Sequence, residues 1–149
     1  MALKTHHAAG WEIRPHARED RDAIKAVLQT CLQEFPWHVT TRFDPDALEH
    51  ALSYTTAIVA TEKKAGIVGF MIVNTESGYV SHIFVLPEWR LCGIGSGLLE
   101  VGRVLSGKRL FQELDVRNKY GRAACAAMGW SEMVPEGNTG SWQVRLISE

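Results

Sequence analysis

The fold is decided by residues 79–99, which read YVSHIFVLPEWRLCGIGSGLL. The first part is rich in β-branched and aromatic residues and stops at Pro87, a pattern typical of a β-strand from Tyr79 to Val85. Apolar residues with helical spacing follow, which predicts a helix from about Gly93 to Leu105. The stretch is therefore a strand that turns directly into a helix.

The start of this helix has the chemistry of a phosphate site. A helix start leaves several backbone N–H groups unpaired, with the positive end of the helix dipole behind them. Gly93 and Gly95 remove side chains that would keep a phosphate from the backbone, and Arg90 can add a charge-assisted contact. The alternative is a glycine-containing turn that only starts a core helix.

Two other phosphate motifs do not fit the sequence. The dinucleotide-binding pattern GxGxxG is not met from Gly93, because position 98 is leucine. Residues 102–108 spell GxxxxGK, but Arg109 replaces the required Ser or Thr, and the stretch ends a helix instead of preceding one. Neither a dinucleotide fold nor a P-loop is expected.

Outward from this stretch, the predicted elements follow the order β-α-α-β-β-β-α-β-α-β, with one more short strand near residues 130–134. This order predicts an α/β (α+β) domain with a central mixed, mostly antiparallel sheet of six to seven strands and about four helices. The domain is expected over residues 11–149, after a flexible tail at residues 1–10. The strands are predicted at 11–14, 56–61, 67–73, 79–85, 110–116 and 142–147, and the helices begin near 20, 44, 93 and 120.

Composition and charge exclude several classes of protein. The chain has 149 residues, 22% of them charged, and its formal net charge of −1 gives no attraction to nucleic acid or an anionic membrane. Cys31, Cys92 and Cys125 are odd in number and widely spaced, which fits neither a disulfide framework nor a zinc site. No apolar run approaches the roughly 20 residues of a membrane helix, and the start lacks the apolar segment of a signal peptide. A cytoplasmic protein without a metal is expected.

Residues 79–99 resemble motif A of the GNAT N-acetyltransferases, in which a strand ending in V-x-P continues into R/Q-x-x-G-x-G/A. The predicted order of elements also matches that family, excluding the first ten residues. The resemblance implies that the chain uses acetyl-coenzyme A and that an extended strand pairs with the pantetheine arm of the cofactor, with one strand N–H bound to the thioester carbonyl. The residues implied are Ile83, Phe84 and Val85 for the arm, and Leu91, Cys92, Gly93, Ile94, Gly95 and Ser96, beside Arg90, for the pyrophosphate.

A second resemblance involves Asn118 and Gly129-Trp130, which match the N-x10-G-F/W spacing of the family. It implies that Asn118 binds pantetheine; a turn or helix N-cap asparagine is the alternative. Four residues before Gly129 the family often has a tyrosine that protonates the departing thiolate, and here this residue is Cys125. A thiol pKa of about 8.5 means that the thiolate leaves with little help, so Cys125, Tyr120 on the same helix, or water can supply the proton.

An amine acceptor must lose a proton before it attacks the thioester. Bases in this family often come from the positions of Tyr79 and Ser81, and strand alternation predicts that both share a face with Ile83, opposite His82. Neither residue is a good base, so we expect them to order a water molecule that relays the proton. His82 is expected to be a hydrogen-bonded core histidine, and Glu113 is either another base or a solvated carboxylate.

Acceptor specificity in the family usually comes from the first helix-loop-helix. Aromatic and charged residues there suit an amine with a hydrophobic, aromatic or acidic group, and an apolar cluster that pins the loop is the alternative. The residues concerned are Phe35, Trp37, His38, Arg42 and Phe43, with Trp142 as a facing residue.

Three functions remain open at this point. The leading one is acetyl transfer to a primary amine of a small molecule, by direct attack in a ternary complex. The second is acetylation of a protein N-terminus or lysine, and the third is a non-catalytic sensor or interaction domain that binds coenzyme A. Exposed edge strands make a homodimer plausible.

Overall fold

The computed structural model describes residues 2–34, 45–133 and 143–148. The helices are α1 Arg21–Leu32, α2 Pro45–Tyr54, α3 Ile94–Ser106 and α4 Lys119–Ala127, and short 3-10 turns lie at Arg18–Asp20 and Pro87–Trp89. The strands are β1 Lys4–His6, β2 Trp11–Pro15, β3 Thr56–Glu62, β4 Gly66–Val73, β5 Val80–Val85, β6 Phe111–Asp115, β7 Ser131–Met133 and β8 Gln143–Ile147.

The strands form two sheets that meet at one point. β1 to β5 make a five-stranded antiparallel sheet in sequence order, and β6, β8 and β7 make a three-stranded antiparallel sheet. Among the described residues, one parallel bridge joins the sheets, between Tyr79 and Phe111. There the Phe111 amide donates to the Gly78 carbonyl at 3.0 Å. The predicted α/β fold with a mostly antiparallel arrangement is confirmed.

Helices cover both faces of the five-stranded sheet. Successive residues of β3 and β4 point to opposite faces, so each strand contributes to two hydrophobic cores. The α1/α2 face buries Ile24, Val27, Leu28, Cys31, Leu48, Leu52, Val59, Phe70 and Ile72. The α3 face buries Trp11, Ile13, Ile58, Met71, Val73, Val80, Ile94 and Leu98, and it continues into Cys125, Trp130, Val144 and Leu146 beside the second sheet.

The expectation of a flexible tail over residues 1–10 is wrong for Lys4–His6, which form β1. This strand pairs with β2 through a turn that ends at Gly10, whose φ of +78° suits glycine. The Leu3 amide donates to the Ile13 carbonyl at 2.7 Å, and Lys4 forms an ion pair with Glu100 of α3 at 2.9 Å. The short alternation of the segment was too weak a signal to predict a strand.

Trp11 fixes the turn from β5 into α3. Its side chain is 2% exposed, and the indole Nε1 donates to the Cys92 carbonyl at 2.9 Å. The ring lies against Gly97, where an added Cβ atom would come within 2.8 Å of it. Gly93, immediately before α3, has a φ of +82°, which glycine adopts without steric cost. The turn therefore depends on the bulk of Trp11 and on the absence of side chains at 93 and 97.

We predict that Gly97→Ala destabilises the protein, because the new methyl group must displace the Trp11 ring. The expected loss in the free energy of unfolding is about 1–3 kcal/mol, the usual range for an overpacked core. Gly95→Ala on the same helix is the matched control, since a Cβ there meets nothing within 4 Å. Urea unfolding should show the control to be equal to or slightly more stable than the wild type; equal losses in both variants would contradict the packing role of Gly97.

Candidate active site

The start of α3 presents backbone donors toward open space. No side chain caps Gly93, and the first bond of the helix runs from the Gly97 amide to the Gly93 carbonyl at 2.9 Å. In the described part of the chain, the amides of Ile94, Gly95 and Ser96 therefore have no acceptor. Together with the helix dipole, these three amides suit an anionic group such as a phosphate.

The backbone of Leu91 and Cys92 forms the turn that leads to this site. Leu91 has a φ of 64°, a conformation that is sterically unfavourable for a residue with a side chain, and its side chain is 97% exposed. The Cys92 thiol donates to the Arg90 carbonyl at 3.6 Å, and the Cys92 carbonyl accepts from Trp11. The turn that precedes α3 is thus held in one conformation from both sides.

Arg90 is engaged away from the helix start. Its Nη1 and Nη2 contact the two carboxylate oxygens of Glu34 at 2.7 and 2.6 Å, just beyond the end of α1. Its Nε donates to the Val85 carbonyl at 3.1 Å, which also accepts from the Cys31 thiol at 3.4 Å. Burial raises the pKa of Cys31 to about 11, so this thiol stays protonated and remains a donor. Arg90 therefore joins β5 to α1 in this structure, and its contact with the pyrophosphate stays a prediction.

Glu34 and Cys31 are the partners of Arg90 that the sequence did not reveal. Both lie more than fifty residues before Arg90, and no spacing pattern links them to it. Only the packing of α1 against the end of β5 brings them together.

A gap opens between β5 and β6 beyond the bridge at Tyr79. The Leu86 amide bonds to the Val68 carbonyl, and Phe84 faces Phe70 in the same register, so the backbone groups of Phe84 point to β4. By alternation, the N–H and C=O groups of Ile83 and Val85 point into the gap. Of the three residues predicted to pair with an extended ligand, Ile83 and Val85 have the required direction and Phe84 does not.

The opposite wall of the gap is the edge of β6. The Ser148 amide of the β8 end bonds to the Leu110 carbonyl at 2.8 Å, so the next residues that face β8 are Gln112 and Leu114. The backbone groups of Glu113 and Asp115 then point toward β5. Two parallel edges with outward-directed amides and carbonyls thus face each other across the gap.

A β-bulge changes the faces predicted for β5. Pairing with β4 shifts by one residue between Ile72 and Val73, and Val80 packs on the α3 face together with Ile83. Since alternation is interrupted between Val80 and Ile83, Tyr79 lies on the face of His82. The expectation that Tyr79 shares a face with Ile83 is therefore wrong.

Tyr79 belongs to a mixed aromatic and charged cluster on the α1/α2 side. Its ring lies 5.3 Å from that of Phe111, and the Arg145 guanidinium stands 5.0 Å above the Phe111 ring. Arg145 Nη2 contacts Glu113 Oε1 at 2.9 Å, so this carboxylate is already paired. Burial and the nearby Glu113 raise the pKa of Tyr79, which keeps its hydroxyl protonated near neutral pH.

Ser81 and His82 contact each other at the bulge of β5. Ser81 Oγ lies 2.8 Å from His82 Nδ1. The imidazole is half-buried, with ring centroids 6.3 Å from Phe70 and 6.4 Å from Phe84, and burial lowers the pKa of His82. The side chain predicted to be a core histidine is neutral near pH 7 and hydrogen-bonded to one of the two residues predicted to relay the proton.

The residues predicted near the pantetheine arm have other partners. Cys125 is 3% exposed, receives a hydrogen bond from Gln112 Nε2 at 3.0 Å, and has its pKa raised by burial. Asn118 is the N-cap of α4, and its Oδ1 accepts from the Gly121 amide at 2.9 Å. Tyr120 falls in the first turn of α4, and its side chain lies outside the described part. Cys125 thus points into the core beside β6 instead of toward solvent.

The predicted acceptor residues Phe35, Trp37, His38, Arg42, Phe43 and Trp142 all lie outside the described residues. Within the described ranges, no group of three or more His, Cys, Asp and Glu side chains is arranged to hold a metal ion. None of the helices there combines the length and apolar character needed to cross a membrane.

We predict that Arg90→Gln and Glu34→Gln have similar, non-additive effects, because each breaks the same ion pair. The pair is partly exposed, so a double-mutant cycle on the free energy of unfolding should give a coupling of about 0.5–1 kcal/mol. The two variants should also change the Kd for acetyl-coenzyme A by the same factor. A large loss of affinity in Arg90→Gln, with none in Glu34→Gln, would restore the phosphate contact expected from the sequence.

Comparison with known proteins agrees with the arrangement of strand, turn and helix. No curated protein sequence matches the chain. Solved structures with a similar fold include an acetyltransferase from Streptococcus agalactiae (TM-score 0.74, 12% identity, covering 93% of this chain and 98% of that one). They also include the ribosomal-protein-S18-alanine N-acetyltransferase from Escherichia coli (TM-score 0.69, 18% identity, covering 92% of this chain and 90% of that one). A third is nourseothricin acetyltransferase (TM-score 0.65, 19% identity, covering 93% of this chain and 96% of that one).

The sequence itself matches the family described as "Acetyltransferase (GNAT) domain" over residues 26–104, just over half of the chain. The match begins within α1 and ends within α3, so it contains β5, the turn at residues 86–93 and the start of α3. The chain therefore belongs to the GNAT acetyltransferases, enzymes that transfer an acetyl group from acetyl-coenzyme A.

Proposed function

We propose that the chain acetylates a primary amine of a small molecule, by direct attack of the amine while acetyl-coenzyme A is bound. The observation that carries this proposal is the position of the α3 start, which the eight residues 86–93 join to the end of β5, the strand that borders the gap. Coenzyme A consists of a pyrophosphate joined to an extended arm with two amide groups. An anion site and an open strand edge in this order suit both parts.

On the donor side, the amides of Ile94, Gly95 and Ser96 would bind the pyrophosphate, next to the backbone of residues 91–93. The pantetheine arm would lie in the gap and exchange hydrogen bonds with Ile83 and with the N–H group of Val85, whose carbonyl is already used by Arg90 and Cys31. An N–H group aimed at the thioester carbonyl stabilises the negative charge that develops there during attack.

The departing thiolate needs only modest help. With a thiol pKa of about 8.5, it is a far better leaving group than an amine and can take its proton from water. The buried Cys125 thiol, whose pKa is raised, is therefore not required as an acid, and Tyr120 remains the other side chain proposed for this step. Asn118 would contact the arm through the part of its side chain that does not cap α4.

On the acceptor side, the amine would approach from the α1/α2 face, opposite the helix that holds the pyrophosphate. This face combines the Tyr79 and Phe111 rings with the Glu113–Arg145 ion pair, a surface that suits a compact amine with apolar and polar parts. Residues 35–42, with Phe35, Trp37, His38 and Arg42, are proposed to complete it. The fold itself does not choose the acceptor, since similar structures include both a ribosomal-protein acetyltransferase and nourseothricin acetyltransferase.

We predict that Gly95→Glu weakens binding of acetyl-coenzyme A by roughly tenfold or more, about 1.4 kcal/mol, because a carboxylate would repel the pyrophosphate. The fold should be kept, since a Cβ at this position meets nothing within 4 Å. Val104→Glu adds the same charge near the far end of α3, where the side chain is 77% exposed, and is the matched control. Calorimetric titration measures the Kd for acetyl-coenzyme A in both variants. Equal Kd values for Gly95→Glu and Val104→Glu would contradict a pyrophosphate site at the start of α3.

Thiol release from acetyl-coenzyme A against a panel of amines and peptides decides the acceptor. We expect turnover with at least one small amine, with rates that depend on both substrates as in a ternary complex. Turnover only with peptides would identify a protein-modifying enzyme. Binding of acetyl-coenzyme A without turnover on any amine or peptide would identify a sensor, and ping-pong kinetics would contradict direct attack.

A further inference from the structure

The adjacent side chains of Ser81 and His82 form a hydrogen-bonded pair on β5 that reaches solvent through Ser81 and contains an imidazole, a group suited to proton transfer. The bulge puts the pair at the point where β5 begins to separate from β6. The next residue, Ile83, directs its amide into the gap. The pair thus lies one residue from the strand edge proposed to bind the thioester.

The hydrogen bond to Ser81 determines which ring nitrogen of His82 is available. When Nδ1 carries the proton and donates to Ser81 Oγ, the lone pair is on Nε2. Among the described residues, Nε2 has no hydrogen-bond partner, and it is not one of the fully buried polar atoms. Phe70 and Phe84, whose own ring centroids are 5.8 Å apart, both lie on the same side of the imidazole, at 6.3 and 6.4 Å.

Other titratable groups do not account for the state of His82. Tyr79, Glu113 and Arg145 lie on the same side of the two sheets, and Cys31 lies on α1, which packs against β5. None of them contributes to the lowered pKa of His82, whose cause is burial alone. An imidazole of this kind is unprotonated above about pH 6.5 and can accept a proton from a substrate.

Building on the proposed function, we propose that His82 is the general base of acetyl transfer and that Ser81 positions it. In the step, the amine nitrogen forms a bond to the acetyl carbon, the carbon–sulfur bond breaks, and its electron pair leaves on sulfur. The proton of the amine nitrogen moves to His82 Nε2. The imidazolium then releases that proton to water, and the thiolate takes one from water, which leaves an amide and free coenzyme A.

We predict that His82→Gln lowers kcat by roughly 10²–10³-fold, the usual contribution of a general base. In the wild type, kcat/KM should fall as pH decreases through a pKa below 6.5, because His82 becomes protonated, and this acid limb should disappear in His82→Gln. Ser81→Ala should keep the limb and lower kcat only severalfold, since the ring loses its fixed tautomer. The Kd for acetyl-coenzyme A and the Tm should stay unchanged in both variants.

His50→Gln is the matched control, because His50 is an exposed histidine of α2 whose ring lies beside Tyr54. It should leave both the rate and the pH profile unchanged. Three results would overturn the assignment of His82: an acid limb that survives in His82→Gln, an acid limb that is lost in Glu113→Gln instead, or an acetylated Ser81 detected by mass spectrometry. A failure of the proposed function can be told apart from a failure of the His82 assignment, because in that case the wild type itself would turn over no small-molecule amine.

Discussion

The contact between Trp11 and the start of α3 is the interaction on which the rest of the site depends. A buried indole holds the Cys92 carbonyl by a hydrogen bond and fills the space that a side chain at position 97 would need. It therefore fixes both the height of the helix above the sheet and the direction of its first amides. Because β2 carries Trp11 and α3 carries the amides, the proposed phosphate site depends on a long-range contact between elements about eighty residues apart.

A second constraint comes from the separation of β5 and β6. Backbone N–H and C=O groups at strand edges need partners, and here they face a gap that neither strand closes. An extended ligand with its own amides has the donors and acceptors to satisfy both edges.

Much of the fold could be predicted from the sequence, because its signals are local. β-Branched runs, Pro87 and the glycines at 93 and 95 indicate a strand, a turn and a helix without reference to distant residues. The strand β1 was not predicted, since three residues carry too short a pattern and the strand is stabilised by pairing with β2. The single bridge between the sheets likewise depends on the paths of whole strands.

The candidate site was less predictable at the level of side chains. The bulge before Ile83 has no proline or glycine to mark it, yet it moves Tyr79 to the other face. Arg90 fits a phosphate site by its charge, but Glu34 offers it a bidentate partner that only the packed structure reveals. Cys125 has the right spacing for a catalytic position, whereas its burial beside Gln112 is a property of the core. Sequence signals thus identify the chemistry of a segment better than the direction of each side chain.

The bridge at Tyr79 and Phe111 has a mechanical consequence. Among the described residues the two sheets share one bridged pair, and α3 and α4 pack in the core that lies beside both sheets. In the proposed complex, an arm that exchanges hydrogen bonds with both edges would hold the two sheets together. The stiffness of the junction, and with it the protection of the β5 and β6 amides against exchange with solvent, then follows the occupancy of the gap more closely than it follows any covalent feature of the chain.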